Sequence, residues 1–246
     1  MTLRLAHQAD GQPEIFLALQ GEGPRLGRPS TFLRLSGCNL WCRWCDTPYT
    51  WRWDATHPHD DDRVFDRAVE EIVCTDDEVV ARVLALGCPA LVLTGGEPLL
   101  QQAALVPLLR RLRAADPRLT VDVETNGTVR PSHALLAEVQ LLVVSPKLSN
   151  AGVPEAQRLR PALEDLAALP QAAFKFVVAG PDDLAEVRAL LSRLDVPASR
   201  VWLMPQGRDG ATLRARAGWL ADLCRDEGFW FSDRLHVHLS GDARGT

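Results

Sequence analysis

Short runs of apolar and β-branched residues recur along the chain, separated mostly by segments whose apolar residues repeat about every 3.6 positions. The runs predict strands, and they lie at 31–36, 90–94, 119–125, 140–145, 173–179, 200–204 and 234–239. The periodic segments predict helices, and they lie at 98–116, 181–194 and 210–228. Alternating strands and helices favour parallel βαβ units, which form an open sheet or a full or partial barrel. We therefore predict one α/β domain spanning residues 1–246.

One polar and acidic segment, at about residues 52–76, interrupts this alternation. It predicts an insertion with a short helix near its end. His57, His59 and the acidic run 60–62 offer metal ligands within it. A solvated loop is nevertheless the favoured interpretation, because runs of charge are usually solvated.

Charge and hydropathy exclude several classes of function. The chain carries 27 basic and 32 acidic residues, a net charge of -5. Phosphate binding needs clustered excess Lys and Arg, so the sequence predicts neither a nucleic-acid partner nor an anionic membrane surface. No apolar stretch approaches the roughly 18 residues of a membrane span, and the N-terminal segment lacks the apolar core of a signal peptide. We expect a cytoplasmic protein that acts on a small molecule.

Three of the six cysteines, Cys38, Cys42 and Cys45, cluster with the spacing C-x3-C-x2-C. In a reducing cytosol, closely spaced thiols more often hold a metal or do chemistry than form disulfides. A closed zinc site needs four ligands, and no second ligand pair follows, so a zinc site here would be incomplete. An iron–sulfur cluster held by three thiolates keeps one iron without a protein ligand. That open position is available to a small molecule.

Polar residues also follow other predicted strands, at the ends where α/β barrels build active sites. The motif L-T-G-G-E-P occupies 93–98, E-T-N-G-T occupies 124–128, and S-P-K occupies 145–147. Glycines without a side chain let a ligand approach the backbone closely. Such groups at several strand ends favour one shared active site. Lysine is rare here, so Lys147 and Lys175 are additional, weaker candidates.

The cysteine spacing after the strand at 31–36 resembles the signature of the radical S-adenosylmethionine (SAM) superfamily, and G-G-E resembles its SAM-binding motif. The resemblance implies a partial, incomplete TIM-like βα barrel. It also implies that Cys38, Cys42 and Cys45 hold a 4Fe-4S cluster, whose open iron is chelated by SAM, the source of a 5'-deoxyadenosyl radical. The SAM-binding residues that it implies are Trp44, Gly96, Thr125, Asn126, Ser145, Pro146, Lys147 and Gln206.

The motif F-x-x-x-Q-G-E-G at 16–23, Asp-Thr directly after the cysteines, and the later G-G-E-P, T-N-G and S-P-K motifs together resemble the 7-carboxy-7-deazaguanine synthase family. The resemblance covers nearly the whole chain except the insertion. It implies a lyase of queuosine and deazapurine biosynthesis that converts 6-carboxy-5,6,7,8-tetrahydropterin to 7-carboxy-7-deazaguanine with release of ammonia. The substrate-binding residues that it implies are Leu19, Gln20, Gly21, Glu22, Arg34 and Thr94.

The same resemblance implies Mg2+ bound by Thr47, a flavodoxin- or ferredoxin-type electron donor, and a homodimer. It matches the run at 234–239 to the family's last strand. The C-terminus of the family can approach the substrate, so the same question arises for Thr246.

The residue types suit these implied roles. Glu22 can accept hydrogen bonds from the guanidine-like edge of a pterin. Arg34 lies in an apolar strand, where it is costly to bury unless paired, and either a substrate carboxylate or a structural salt bridge would pair it. Thr47 offers the oxygen that Mg2+ prefers.

Two other functions remain open. A glycyl-radical activating enzyme would share the cysteine spacing, G-G-E-P and T-N-G, but it would leave Q-G-E-G and Asp-Thr without a purpose. A zinc-stabilised module without catalytic activity would use the cysteines for structure alone.

Overall fold

The computed structural model describes residues 1–245, which form an α/β domain around one ten-stranded sheet. The strands are β1 (Thr2–Ala6), β2 (Ile15–Leu19), β3 (Pro29–Leu35), β4 (Glu71–Thr75), β5 (Ala90–Gly95), β6 (Thr120–Thr125), β7 (Leu141–Val144), β8 (Ala172–Val178), β9 (Val201–Pro205) and β10 (Trp230–Phe231). The helices are α1 (Arg67–Glu70), α2 (Asp76–Ala85), α3 (Gln102–Ala115), α4 (His133–Leu136), α5 (Glu155–Arg158), α6 (Ala162–Ala167), α7 (Asp183–Leu194), α8 (Gly210–Glu227) and α9 (Leu235–Ser240). All the predicted strands but one correspond to β3 and β5 to β9.

The sheet has the spatial order β10-β9-β8-β7-β6-β5-β3-β1-β4, with β2 also paired to β3. Neighbours from β3 through β10 are parallel, whereas β1, β2 and β4 pair antiparallel. Within residues 1–245 no pairing joins β10 to β4, so the sheet is not closed. The predicted partial barrel is confirmed. Parallel strands bring their carboxyl ends to one rim, where α/β barrels place their sites.

The core lies between this sheet and the helices, and it explains the apolar runs. Every residue of β8 is buried, as expected for a parallel strand covered on both faces. Leu33, Leu93, Val123 and Phe176, from four of the parallel strands, are fully buried in one cluster. In the described chain, no helix is long and apolar enough to cross a membrane.

The strand predicted at 234–239 is wrong, because Leu235–Ser240 form helix α9. The backbone N–H of Leu235 donates to the carbonyl of Gly21 at 2.9 Å, and that of Val237 donates to Arg234 at 3.0 Å. Over only six residues, an alternation of apolar and polar positions does not distinguish a strand from a short helix. The loop after β2 therefore anchors this segment, which does not join the sheet.

The insertion at about 52–76 is more ordered than a solvated loop. The helix predicted near its end is α1, and the residues after it form β4, in which Cys74 pairs with Leu3 of β1. The side chain of His59 is 0% exposed, and Asp60 pairs with Arg43 at 2.8 Å. The solvated-loop interpretation is therefore wrong for this histidine and for β4.

Two glycines at the end of β5 let the cysteine loop lie close to the sheet. A Cβ atom on Gly95 would lie 2.1 Å from the carbonyl oxygen of Leu35, and one on Gly96 would lie 2.1 Å from that of Gly37. The N–H of Glu97 donates to the same Gly37 carbonyl at 2.8 Å. Because neither glycine has a side chain, the start of the cysteine loop can pack directly against the end of β5.

We predict that Gly96→Ala displaces this loop and lowers the free energy of unfolding by about 1–3 kcal/mol, the usual cost of overpacking. Urea unfolding measures the change. Gly218→Ala is the matched control, because no heavy atom lies within 4 Å of a Cβ built there in α8. Alanine in a helix interior should be neutral or stabilising by about 0.5–1 kcal/mol. Equal destabilisation of the two variants would contradict the close approach.

Candidate active site

A cavity of about 230 Å3 opens at the carboxyl ends of the parallel strands. It is lined by all the predicted site residues except Pro146, namely Leu19, Gln20, Gly21, Glu22, Arg34, Cys38, Cys42, Trp44, Cys45, Thr47, Thr94, Gly96, Thr125, Asn126, Ser145, Lys147 and Gln206. Pro146 is buried in the backbone turn after β7 and does not line the cavity. Residues chosen from separate motifs therefore meet in one place.

The three clustered cysteines lie in the loop that follows β3, with their thiols in the cavity wall. They pack against Leu40 and Val153 in a small apolar cluster. Burial raises the pKa of Cys42 to about 12, and it also raises the pKa of Cys38 and Cys45. Without a bound cation these thiols are neutral at pH 7, so metal binding must release their protons.

Zinc and iron–sulfur sites make different demands on the three thiols. Thiolates that share one zinc bind it at about 2.3 Å and therefore lie close together. In the described residues, no three His, Cys, Asp or Glu side chains form a group that could hold a single ion. Each thiolate of an iron–sulfur cluster binds a different iron, so the three need not converge on one point. Three thiolates suffice for a cluster with one open iron, whereas a closed zinc site needs four ligands.

Buried Glu97 organises the motifs at the ends of β5 and β6. Its carboxylate accepts from the backbone N–H of Asn126 at 2.7 Å, the hydroxyl of Thr125 at 2.8 Å and the N–H of Leu99 at 3.0 Å. Burial raises its pKa, although these three donors oppose the rise. Asn126 in turn donates to Asn39 of the cysteine loop at 3.0 Å. Glu97 thus ties the two predicted SAM motifs to the cysteine loop.

Lys147 places a positive charge at the cavity without a carboxylate partner. Its Nζ donates to Ser145 Oγ at 2.9 Å and lies 5.7 Å from the centre of the Trp44 ring. Within residues 1–245 Lys147 makes no salt bridge, so it fits an incoming carboxylate such as that of an amino acid. Gln206, on the other side, holds its side-chain oxygen against Arg216.

Arg34 has a structural partner and also spare donors. Its Nε donates to Glu14 Oε1 at 2.7 Å, and Tyr49 donates to the same fully buried carboxylate at 3.1 Å. Burial lowers the pKa of Arg34, but Glu14, Tyr49 and Asp46 together raise it above its ordinary value. In the described chain the two terminal nitrogens have no hydrogen-bond partner, and Arg34 lines the cavity. The structural salt bridge of the two alternatives is therefore present, and pairing with a substrate carboxylate stays a prediction.

Glu22 lies at the centre of a buried charge network. Its carboxylate contacts Lys175, accepts from Arg234 Nε at 3.0 Å and lies 3.9 Å from His236 Nε2. Burial alone would raise the pKa of Glu22, but the surrounding cations hold it well below its ordinary value of 4.5. Arg234 also pairs with Asp46, whose pKa it lowers against the effect of burial. Glu22 is therefore an ionised hydrogen-bond acceptor at pH 7.

Thr47 lies beside the last cysteine, with its hydroxyl 3.7 Å from Cys45 Sγ. Its carbonyl accepts from the hydroxyl of Thr50 at 2.8 Å, which fixes the backbone. The side-chain oxygen lines the cavity and is available as a ligand for a hard cation.

Comparison with known proteins assigns the family. A family model described as a 4Fe-4S single cluster domain matches residues 19–160. A 7-carboxy-7-deazaguanine synthase of Pyrobaculum aerophilum is 40% identical over 94% of this chain and 95% of its own. Those of Rhodopirellula baltica and Hyperthermus butylicus are 36% and 39% identical, over 95% and 91% of this chain and 87% and 90% of their own. The chain belongs to the 7-carboxy-7-deazaguanine synthase family.

Solved structures agree with this membership at the level of the fold. The crystal structure of QueE from Escherichia coli matches with a TM-score of 0.65 and 24% identity, over 96% of this chain and 95% of that one. Streptococcus suis SuiB matches with a TM-score of 0.51 and 14% identity, over 83% of this chain and 49% of that one. At these identities both likenesses show the fold alone.

Several cavity residues in this member of the 7-carboxy-7-deazaguanine synthase family were not predicted from the sequence. Glu124 of β6 accepts from Gln20 Nε2 at 3.0 Å and from Thr94 Oγ1 at 2.8 Å, so it holds two predicted substrate residues in place. Arg234, which was not predicted, and Lys175, a weaker candidate because lysine is rare, complete the network around Glu22. The others that line the cavity near them include Asp46, Tyr49, His236, Asp242 and Arg244.

Only some of these residues carry a signal in the sequence. Lys175 is the one charged residue in the apolar run of β8. A charged residue within an apolar strand, which is costly to bury unless paired, is also the signal that indicates Arg34. Glu124 lies within the quoted E-T-N-G-T motif, next to Thr125. Arg234 offers no such signal, because it begins a run of alternating polar and apolar residues in which a charge does not stand out.

The last described residues also reach the cavity. Asp242 and Arg244 line it, and the Arg244 guanidinium lies 3.6 Å from the centre of the Tyr49 ring and 2.6 Å from Glu70. Thr246, for which the sequence left a substrate contact open, lies outside the described residues.

We predict that Lys175→Met lowers the free energy of unfolding by about 3–5 kcal/mol, because it leaves a buried carboxylate short of a cation. Urea unfolding at pH 7 measures the loss. Arg188→Met is the matched control, because it breaks the exposed pair with Glu227 and should cost at most about 1 kcal/mol. Similar losses in both variants would contradict the buried network.

The same network predicts how stability depends on pH. The folded-state pKa of Glu22 lies below its ordinary value of 4.5, so its stabilising contribution is complete above that pH and is lost as pH falls through the lowered value. Lys175→Met removes the largest of the charges that lower this pKa, so the variant should lose less stability than the wild type as pH falls below 4.5. Urea midpoints measured from pH 7 downward test this, and identical profiles would contradict it.

Proposed function

We propose that this chain catalyses the conversion of 6-carboxy-5,6,7,8-tetrahydropterin to 7-carboxy-7-deazaguanine and ammonia. Family membership supports the reaction. The observation that carries the proposal for this chain is that one cavity gathers the three cysteine thiols, the Q-G-E-G loop and the polar ends of β5, β6 and β7. A glycyl-radical activating enzyme would not need hydrogen-bond donors and acceptors arranged for a pterin ring.

The cysteine side of the cavity is proposed to hold the cofactors. Cys38, Cys42 and Cys45 would bind three irons of a 4Fe-4S cluster and leave the fourth for SAM. When bound, the cluster and SAM together supply a 5'-deoxyadenosyl radical. Lys147 would bind the carboxylate of SAM. The other proposed SAM contacts are Trp44, Gly96, Thr125, Asn126, Ser145 and Gln206.

The opposite side is proposed to bind the pterin. Glu22 is held as a carboxylate by Lys175, so it can accept two N–H groups from the guanidine-like edge of the ring. The backbone of Leu19 to Gly21 and the Thr94 hydroxyl would complete that edge. Arg34 still has two terminal nitrogens for the substrate carboxylate, because Glu14 uses only its Nε. Each group is positioned before substrate arrives, which reduces the cost of ordering on binding.

We also propose that Thr47 binds Mg2+ next to the substrate carboxylate. Mg2+ takes oxygen ligands and usually keeps several waters, so one protein hydroxyl plus a substrate carboxylate is a suitable set. The metal would offset negative charge beside Arg34. A flavodoxin- or ferredoxin-type electron donor, a homodimer and a cytoplasmic location are part of the proposal, and they rest on the family resemblance.

We predict that Cys42→Ala abolishes both cluster retention and turnover, since it removes one of three ligands. Anaerobic reconstitution, iron and sulfide analysis, and a turnover assay with the pterin and SAM measure both. Cys224→Ala is the control, because Cys224 is buried in α8 away from the cavity and should spare both properties. Equal loss in both variants would contradict the assignment. Labelling of a glycine in a partner protein, without turnover of the pterin, would overturn the proposed reaction itself.

We predict that Thr47→Ala weakens the dependence of turnover on Mg2+ while leaving iron content unchanged. The reason is that the hydroxyl is lost but the cysteines remain. A titration of turnover against Mg2+ concentration measures this. Thr128→Ala is the matched control, because the Thr128 hydroxyl donates to Asn126 Oδ1 and does not line the cavity. An unchanged metal response of Thr47→Ala would count against the role.

A further inference from the structure

We propose that Trp51 raises the reduction potential of the cluster by donating its indole N–H to the sulfur of Cys45. The inference rests on the proposed function at one point, the cluster held by the three cysteines. Neither the resemblance nor the comparisons assign a role to Trp51.

The hydrogen bond is present in the folded protein. Trp51 Nε1 lies 3.4 Å from Cys45 Sγ. In the described chain this is the one aromatic N–H that reaches a sulfur of the cysteine loop. Cys38 Sγ accepts from the backbone N–H of Leu40 at 3.4 Å and lies 3.9 Å from the amide of Asn126. The indole therefore distinguishes Cys45 from the other ligands.

The insertion holds this indole in place. The His59 ring packs edge-on against Trp51, with 6.2 Å between ring centres. His59 Nε2 also lies 2.9 Å from the carbonyl oxygen of Cys45, and a carbonyl only accepts, so Nε2 carries the proton. The other ring nitrogen, Nδ1, lies 3.2 Å from the backbone nitrogen of Asp61 and 3.1 Å from its carboxylate oxygen Oδ1. One buried histidine thus fixes both the backbone of the ligand and the donor to its sulfur.

Electrostatics gives the direction of the effect. A reduced cluster carries one more negative charge than the oxidised cluster, and its ligating sulfurs share that charge. A donated hydrogen bond stabilises the more negative state more strongly, so it raises the potential. The bond lies in a partly buried apolar loop, where low dielectric strengthens it. Trp51 is a positioning and tuning residue in this role and need not contact substrate.

The test compares Trp51→Phe with Trp41→Phe. Trp41 lies in the same loop and stacks on His57 at 4.1 Å, and in the described residues its indole makes no hydrogen bond. Midpoint potentials of the reconstituted proteins are measured by redox titration with electron paramagnetic resonance, without SAM or substrate. We expect Trp51→Phe to lower the equilibrium constant for reduction roughly three- to tenfold, about 30–60 mV for one electron. Trp41→Phe should stay within experimental error of the wild type.

An unchanged or higher potential in Trp51→Phe, or an equal shift in both variants, would overturn the inference. If Trp51→Phe fails to retain iron, protein with indole-15N tryptophan is used instead. Reduced wild type and Trp41→Phe should then both show a 15N coupling to the cluster by pulsed resonance methods, and its absence would overturn the proposal. A wild type that forms no cluster would refute the proposed function, a result distinct from a cluster whose potential ignores Trp51.

Discussion

The burial of charge at the rim of the barrel is the constraint on which the site depends. An ionised side chain is stable in a protein interior only when it is paired and hydrogen-bonded. Glu14 is paired with Arg34 of β3, and Glu22 is paired with Lys175 of β8 and with Arg234 beside α9. These pairs connect the loops around β2 to the barrel and to the C-terminal helix. The interactions that place charge in the cavity are therefore the same ones that hold its wall together.

Pairing also explains which groups are left for ligands. Arg34 and Tyr49 both donate to the Glu14 carboxylate, so this carboxylate is not left for a ligand. Lys147 and the terminal nitrogens of Arg34 keep cationic donors facing the cavity. Glu22, although surrounded by cations, lines the cavity with a carboxylate whose lone pairs exceed its present donors. Lys147 and Arg34 can therefore still bind anionic groups of a ligand, and Glu22 can still accept hydrogen bonds. Buried contacts hold these side chains, so they need little rearrangement on binding.

The parts of the site that the sequence predicts are local. Cys38, Cys42 and Cys45 are close in sequence, and the motifs at Gly96 and Thr125 end strands that the apolar pattern identifies. Charge pairs are different, because Lys175 and Glu22 are 153 residues apart and no periodicity relates them. The helix α9 was missed for a related reason. Its position depends on the backbone of a distant loop, whereas its sequence alternates as a strand does.

The acidic insertion gains a physical explanation once its partners are known. Asp61 lies 3.3 Å from Arg208, which donates to Asp242 at 2.9 Å, and Glu70 pairs with Arg244. Ion pairs therefore connect the insertion to the loop after β9 and to the C-terminal segment, both of which line the cavity. These ion pairs are partly exposed, and such pairs are each worth about 1 kcal/mol or less. The barrel pairs are buried and costly to break, so they hold the cavity wall more firmly than the ion pairs of the insertion hold its neighbours. A segment whose acidity suggested only solvation thus forms ion pairs with two segments that line the cavity.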